Sequence, residues 1–171
     1  DGTLNINADL NGNGGGTATI NANIDLTGVG SLNVDNGATD ITIQPAGADL
    51  DSDILNAIDG DIDISTDGGI TIAGGQFGGA NTDGITLQAG AAETIDIDAD
   101  VDATNDDLKV LQAGSVDIAQ DINLSAGDNI DLGAAGAIDL DGGALGENTF
   151  KADTGSVTLP VLDATNASHD L

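Results

Sequence analysis

Aspartate is the residue type in this sequence with the clearest capacity for chemistry, because its carboxylate oxygens can bind cations. Ca2+ takes about six to eight oxygen ligands from flexible sets of carboxylates and carbonyls. Alternating aspartates in three short stretches are therefore candidate Ca2+ ligands, and a solvated acidic face without specific ions is the alternative interpretation. The candidates are Asp49, Asp51, Asp53, Asp61, Asp63, Asp96, Asp98, Asp100 and Asp102.

The sequence contains neither of two calcium-binding loops that can be recognised by their spacing. The Gly-Gly-x-Gly-x-Asp nonapeptide that binds Ca2+ in other solenoids is absent. Residues 142–147 (Gly-Gly-Ala-Leu-Gly-Glu) are only similar to it, and there is no EF-hand loop. We therefore expect no required cofactor, with Ca2+ as the ion that the chain could hold.

Catalytic groups other than carboxylates are scarce. The chain has no Cys and no Arg, its basic residues are Lys109 and Lys151, and its one histidine, His169, lies near the end of the sequence. Most nucleophilic and phosphoryl-transfer chemistry lacks its functional groups here. Carboxylate pairs for glycoside hydrolysis are available, but aromatic platforms for sugars are limited to Phe77 and Phe150. The prediction is a protein without enzymatic activity, with a polysaccharide-acting β-helix enzyme as the minor alternative.

The charge of the chain restricts its partners. The formal net charge is −28, and nothing in the composition could neutralise the phosphates of a nucleic acid. An anionic membrane surface would repel the chain, and no stretch approaches the roughly 20 apolar residues of a membrane span. Divalent cations, other copies of the chain and a neighbouring or host cell surface remain as candidate partners.

Short alternating strands are the elements that must position the aspartates. The sequence repeats triplets in which one polar residue separates two aliphatic residues, and turn-forming Gly, Asn and Asp lie between the triplets. Alternation places the aliphatic residues on one face and the polar residue on the other. Examples are Ile41–Ile43, Ile62–Ile64, Ile95–Ile97, Val116–Ile118 and Ile138–Leu140.

Two spacings recur between these triplets, 8 residues and 21 residues, and they predict a solenoid. Ile62 and Ile70 are 8 apart, which we interpret as the step between strands within one turn. A spacing of 21 relates Ile20 to Ile41 and Ile62, and also relates other pairs. The pairs are Ile43 and Ile64, Ile64 and Ile85, Leu87 and Leu108, Ile95 and Val116, Ile97 and Ile118, and Ile138 and Leu159.

We interpret the spacing of 21 as one full coil whose equivalent aliphatic residues stack in ladders. The predicted fold is an all-β parallel β-helix of roughly eight coils of about 21 residues, forming a single domain over residues 1–171. An antiparallel sandwich with regularly spaced hairpins is the alternative. Residues 46–55, 99–107 and 143–152 break the spacing and are expected to be loops or irregular corners.

Two longer segments carry a family resemblance. Residues 60–72 (Gly-Asp-Ile-Asp-Ile-Ser-Thr-Asp-Gly-Gly-Ile-Thr-Ile) and residues 113–132 resemble filamentous-haemagglutinin-type repeats of large bacterial surface exoproteins and adhesins. The resemblance implies a right-handed parallel β-helix, export to the cell surface, and a role as a shaft or an adhesin. The large excess of Asp and the lack of a recognisable secretion domain depart from that family.

Two functional hypotheses follow. In the first, the chain is an extracellular structural subunit or shaft segment of a cell-surface fibre that polymerises end to end, because uncapped terminal coils invite stacking. In the second, it is an adhesive module of a large surface protein. Its exposed loop would then be residues 74–84, and Phe77 would be the exposed aromatic residue of that loop.

Overall fold

The structure is a computed structural model that describes residues 3–7, 18–20, 31–35, 41–43, 61–79, 82–119, 121–140, 147–160 and 162–163. These residues form β-strands joined by turns and include no helix. The strands are β1 (Thr3–Asn7), β2 (Ala18–Ile20), β3 (Ser31–Asp35), β4 (Ile41–Ile43), β5 (Asp61–Ser65), β6 (Ile70–Gly79), β7 (Ile85–Gln88), β8 (Thr94–Ala103), β9 (Leu108–Gln112), β10 (Ser115–Ile118), β11 (Asn123–Ala126), β12 (Ile130–Asp131), β13 (Ile138–Leu140), β14 (Thr149–Ala152), β15 (Val157–Thr158) and β16 (Leu162–Asp163).

Two sheets run along the molecule, and every described strand pairing is parallel. A seven-stranded sheet has the order β1-β3-β5-β7-β9-β12-β15 and forms the first face. In a nine-stranded sheet, the path β2-β4-β6-β8-β10-β13-β16 forms the second face. Consecutive strands thus alternate between faces and stack on the equivalent strand of the next turn. This confirms an all-β parallel β-solenoid, with about four turns between residues 61 and 160.

A third face is built from the second halves of the two longest strands. β6 and β8 each contain 10 residues, and their pairing shifts register between Ala73 and Gln76. β11 pairs with the second half of β8 and then with β14. Irregular structure was the wrong expectation for Ala99–Ala103, which continues β8 with buried Ala99, Val101 and Ala103, and for Thr149–Ala152, which is β14. Small inward side chains allow this extension, while residues 46–55 lie outside the described residues.

The stacking register corrects most of the predicted ladders. Ile95 pairs with Val116 and Ile97 with Ile118, as the spacing of 21 predicts. The other partners are 22 or more residues apart: Ile41 with Ile70, Ile62 with Ile85, Ile64 with Leu87, Ile85 with Leu108, Leu87 with Val110, Ile20 with Ile43, and Ile138 with Leu162. The predicted ladders Ile20–Ile41–Ile62, Ile43–Ile64–Ile85, Leu87–Leu108 and Ile138–Leu159 are therefore wrong.

The inward residues form one continuous aliphatic core. Burial alternates strictly along β8, so that Ile95, Ile97, Ala99, Val101 and Ala103 are all fully buried. Equivalent residues of successive turns stack on one another, as in other solenoids where neighbouring repeats bury each other's apolar face. The same core contains further buried aliphatic residues, among them Ile62, Ile64, Ile70, Ile72, Ile85, Leu87, Leu108, Val116, Ile118, Leu124 and Ile130.

Phe77 belongs to this core and not to an exposed loop. It lies in β6, opposite Val101 of β8, and is 0% exposed. Phe77 is the largest fully buried side chain in the described part of the molecule. The prediction that Phe77 is an exposed aromatic contact on residues 74–84 is therefore wrong, because the third face turns this position inward.

Candidate cation-binding surfaces

An acidic column follows the outer side of the second face. Asp96 of β8 pairs with Asp117 of β10, Asp117 pairs with Asp139 of β13, and Asp139 pairs with Asp163 of β16. The side chains of Asp96, Asp117 and Asp139 are half-buried. Strands in a sheet are ~4.8 Å apart, so successive turns place like charges close together. We call Asp96, Asp117, Asp139 and Asp163 the aspartate column.

The preceding positions of the same column are threonines. Thr19 pairs with Thr42, and Thr42 pairs with Thr71, which in turn lies next to Asp96. The Thr71 hydroxyl donates a hydrogen bond of 3.4 Å to the Asp96 carboxylate. The second face therefore changes along the solenoid axis from neutral hydroxyl positions to acidic positions.

Two predicted ligands, Asp61 and Asp63, lie on the exposed side of β5. Oδ1 of Asp61 accepts a hydrogen bond of 3.1 Å from the backbone N–H of Gly84 in the next turn. Asp63 is in register with Thr86 of β7, so its column is not continuously acidic. Asp49, Asp51 and Asp53 lie outside the described residues.

The four predicted ligands of β8 are distributed over two faces. Asp96 belongs to the aspartate column, and Asp98 is exposed where the strand passes from the second face to the third. Asp100 accepts hydrogen bonds from the Asn123 backbone N–H at 2.8 Å and from the Asn123 side-chain amide at 3.2 Å. These contacts join two turns of the third face, so Asp100 has a structural role without any ion.

Asp102 has a similar structural role on the third face. Its carboxylate accepts hydrogen bonds from the hydroxyls of Thr104 at 2.8 Å and Ser125 at 3.0 Å. The Gln76 amide donates a third, at 3.4 Å. Donors from the turns on both sides thus converge on this carboxylate.

A group of three carboxylates that the sequence did not indicate forms where the third face turns into the first. Oxygens of Asp106, Asp107 and Asp128 lie within 4.8 Å of one another. Asp106 and Asp128 are exposed and Asp107 is half-buried. We call these three residues the corner cluster. Asp106 and Asp128 are one 22-residue turn apart, so the true length of that coil, applied to the sequence, would have revealed their proximity.

Part of the corner cluster already holds the backbone together. Oδ1 of Asp107 accepts hydrogen bonds of 2.9 Å from both the backbone N–H and the side-chain amide of Asn129. The Thr154 hydroxyl donates to the Asp128 carboxylate. Asp106 and the remaining carboxylate oxygens could ligate a hard cation such as Ca2+, with backbone carbonyls or water completing the coordination.

The two lysines interact with this acidic surface to different extents. Nζ of Lys151 lies 2.6 Å from Oδ1 of Asp153. Hydrogen bonding to Asp153, followed by its charge and that of Asp102, raises the pKa of Lys151 above its ordinary value. Lys109 is exposed in β9 and stands in register between Thr86 and Asp131. One cation therefore interrupts the outer column of the first face.

Neither a catalytic centre nor a membrane segment emerges from the described residues. His169 lies outside them, and the carboxylates above are engaged in contacts between turns. Helices with the length and apolarity needed to cross a membrane are lacking in the part of the chain that is described. Comparison of the sequence with models of known protein families, and of the chain with curated proteins and with solved structures, found no match.

Proposed function

We propose that this chain is a non-enzymatic extracellular structural protein. It would form a subunit or shaft segment of a cell-surface fibre that assembles end to end, with Ca2+ bridging carboxylates. The continuous parallel ladders carry this proposal. Each turn covers the apolar residues of the turn below, and Ile62, Ile85, Leu108 and Ile130 are each 0% exposed. A cross-section repeated in this way makes a stiff rod that can be lengthened by further turns.

The resemblance to filamentous-haemagglutinin-type repeats supports the same proposal and adds two details to it. We propose right-handed winding, together with roughly eight coils for the whole chain. The ladders described above contain seven strands on each of the first two faces. Export to the cell surface agrees with a highly acidic chain that contains no cysteine.

Calcium belongs to the proposal because the acidic groups repel one another. Two unit charges about 4.8 Å apart cost roughly 1 kcal/mol even in water-like dielectric. Bound divalent cations would relieve this repulsion both within one rod and between two rods. The aspartate column and the corner cluster are the surfaces on which we expect such ions to bind, in addition to the predicted ligands.

Negative-stain electron microscopy of the purified chain tests the proposal directly. We expect uniform filaments in millimolar Ca2+ that shorten or disassemble in excess chelator, with equimolar Mg2+ as a control for divalent charge alone. Dispersed rods on the order of 40 Å long under both conditions would reject self-assembly.

That result would favour the second hypothesis, an adhesive module of a larger surface protein. The specific observation on its side is Leu111 of β9, which is 47% exposed. An apolar side chain on an otherwise polar surface provides a contact point for another protein.

A further inference from the structure

One backbone hydrogen bond repeats at every described turn of the first face. In each case the N–H of an inward aliphatic residue donates to the carbonyl oxygen of the residue that precedes the next aliphatic of the column. The pairs are Ile62 to Gly84 at 2.9 Å, Ile85 to Asp107 at 2.9 Å, Leu108 to Asn129 at 2.9 Å, and Ile130 to Ser156 at 3.0 Å. The solenoid thus extends by one constant contact rule, in one direction.

Val157 of β15 is the next aliphatic residue of this column, and β15 is the outer described strand of the sheet. The carbonyl oxygens of Ser156 and Thr158 both accept hydrogen bonds from the turn below. Because backbone groups alternate sides along a strand, the N–H of Val157 is directed away from that turn. The Val157 side chain is 39% exposed, whereas Ile130 beneath it is 0% exposed. β15 therefore presents a backbone donor and an apolar side chain at this edge.

We infer that this edge binds the opposite edge of a second copy of the chain, formed by β1 and β2. This inference rests on the proposed end-to-end assembly and specifies its contact. Leu4 of β1 occupies the same register column as Leu32 and Ile62. In the junction, Val157 stacks on Leu4 of the next copy, and its N–H donates to the carbonyl oxygen of Thr3. The contact repeats the step that the chain makes four times within itself.

Charge selects the direction of this contact. The outer column of the second face runs from Thr19 to Asp163. A head-to-tail junction places Asp163 next to Thr19 of the next copy, which repeats the Thr71–Asp96 neighbours. A tail-to-tail junction would place two acidic columns end to end. Head-to-tail contacts of this kind do not close, so the product is a polar filament.

Two variants, each blocking one edge, test the junction. Val157→Pro removes the donor that points to the next copy and leaves the carbonyl oxygens that bond β12 in place. Asn5→Pro removes the corresponding outward N–H of β1, because Asn5 alternates with Leu4. Val157→Ile keeps the donor and the apolar position and is the matched control. Circular dichroism establishes that each variant retains β-structure before assembly is measured.

Sedimentation velocity of the single variants and of their equimolar mixture, in millimolar Ca2+, gives the result. We expect each variant alone to require on the order of tenfold higher concentration than wild type to form filaments. The mixture should form heterodimers and nothing longer, because each copy retains one intact edge. Val157→Ile should assemble like wild type.

Three outcomes would overturn the inference. They are wild-type assembly by both blocked variants, homodimers of a single variant, and a mixture that stays monomeric. Filaments that survive both substitutions would reject the edge contact and leave the proposed fibre intact. Wild-type chain that stays monomeric would reject both. If Val157→Pro loses β-structure, Val157→Lys keeps the backbone donor, disrupts the apolar contact and replaces it in the same mixture.

Discussion

At the scale of single residues, aspartate in this protein connects turns as well as carrying charge. Asp61, Asp100 and Asp107 each accept the backbone N–H of a residue in the next turn. Asp121 does the same for Glu147 at 3.1 Å. A carboxylate on a single methylene can reach the neighbouring turn while its own backbone stays in the ladder. This explains why the chain uses Asp where a merely charged surface could also use Glu.

Replacing Asp100 tests this connecting role. Asp100→Ala removes the acceptor for the Asn123 N–H and side-chain amide, and we expect a loss of about 1–2 kcal/mol in the free energy of unfolding. Asp63→Ala, on the exposed side of β5, is the matched control and should change stability by no more than about 0.5 kcal/mol. Urea unfolding followed by circular dichroism measures both. Equal effects of the two substitutions would contradict the connecting role.

The sequence identified the right residue type for the acidic surfaces but not which aspartates come together. Alternation predicted that Asp61, Asp63 and Asp96 lie on the outer side of their strands, because a strand has a period of two. The corner cluster was missed, since Asp106 and Asp128 become neighbours only when the exact length of one coil is known. That length depends on the turns between strands, and turn residues leave no periodic signal.

At the scale of the elements, the third face exists because β6 and β8 turn a corner without breaking their pairing. Gly78 makes the close approach possible. Its φ is +80°, and a Cβ at this position would overlap the carbonyl oxygen of Asp102 and lie 2.9 Å from the Ile85 side chain. The adjacent Phe77 fills the interior behind the corner. Glycine in β6 is therefore a structural requirement.

Gly78→Ala should accordingly be severely destabilising. Left-handed backbone strain and overlap with β8 together predict a loss of about 3 kcal/mol or more. Gly84→Ala is the control, because its Cβ would meet only the Asp61 carboxylate at 3.2 Å and a carbonyl oxygen at 3.4 Å. We expect that control to lose about 1 kcal/mol at most. Thermal unfolding of both variants provides the comparison, and a tolerated Gly78→Ala would mean that the corner of β6 is not constrained as described.

Element type was predictable from the triplets, whereas stacking register was not. Leu87 was expected to stack on Leu108 and instead stacks on Val110, two residues further on. A shift of two residues leaves every inward side chain inward, so hydrophobic pattern alone cannot distinguish a coil of 21 residues from one of 23. The third face was missed for a related reason, because Ala99 and Ala103 are small inward residues that resemble turn residues in a sequence.

At the scale of the whole molecule, stability is a balance between a continuous aliphatic core and the self-repulsion of a net charge of −28. The core is shared among all turns, so one weakened turn affects its two neighbours directly. The repulsion is concentrated in the aspartate column, where Asp117 has an acidic neighbour in the turn above and in the turn below. Ionic strength should therefore control the stability of the rod as well as the association of rods.

Asp117→Asn tests this balance and should stabilise the protein in a salt-dependent way. Removing one charge from the middle of the column relieves repulsion of about 1 kcal/mol per neighbour in water-like dielectric, while asparagine keeps an acceptor oxygen. We expect a rise in Tm of about 2–4 °C at low ionic strength for a chain of this size. The rise should fall by at least half in 1 M NaCl, where the screening length is about 3 Å.

Asp83→Asn is the matched control, since Asp83 is exposed in the turn before β7. It removes the same formal charge outside the aspartate column, so its Tm should change by about 1 °C or less. Differential scanning calorimetry at 20 mM and 1 M NaCl compares wild type with both variants. If both substitutions raised Tm equally, total charge would be the controlling quantity. A lower Tm for Asp117→Asn at both salt concentrations would show instead that the Asp117 carboxylate makes a favourable contact that outweighs the repulsion along the column.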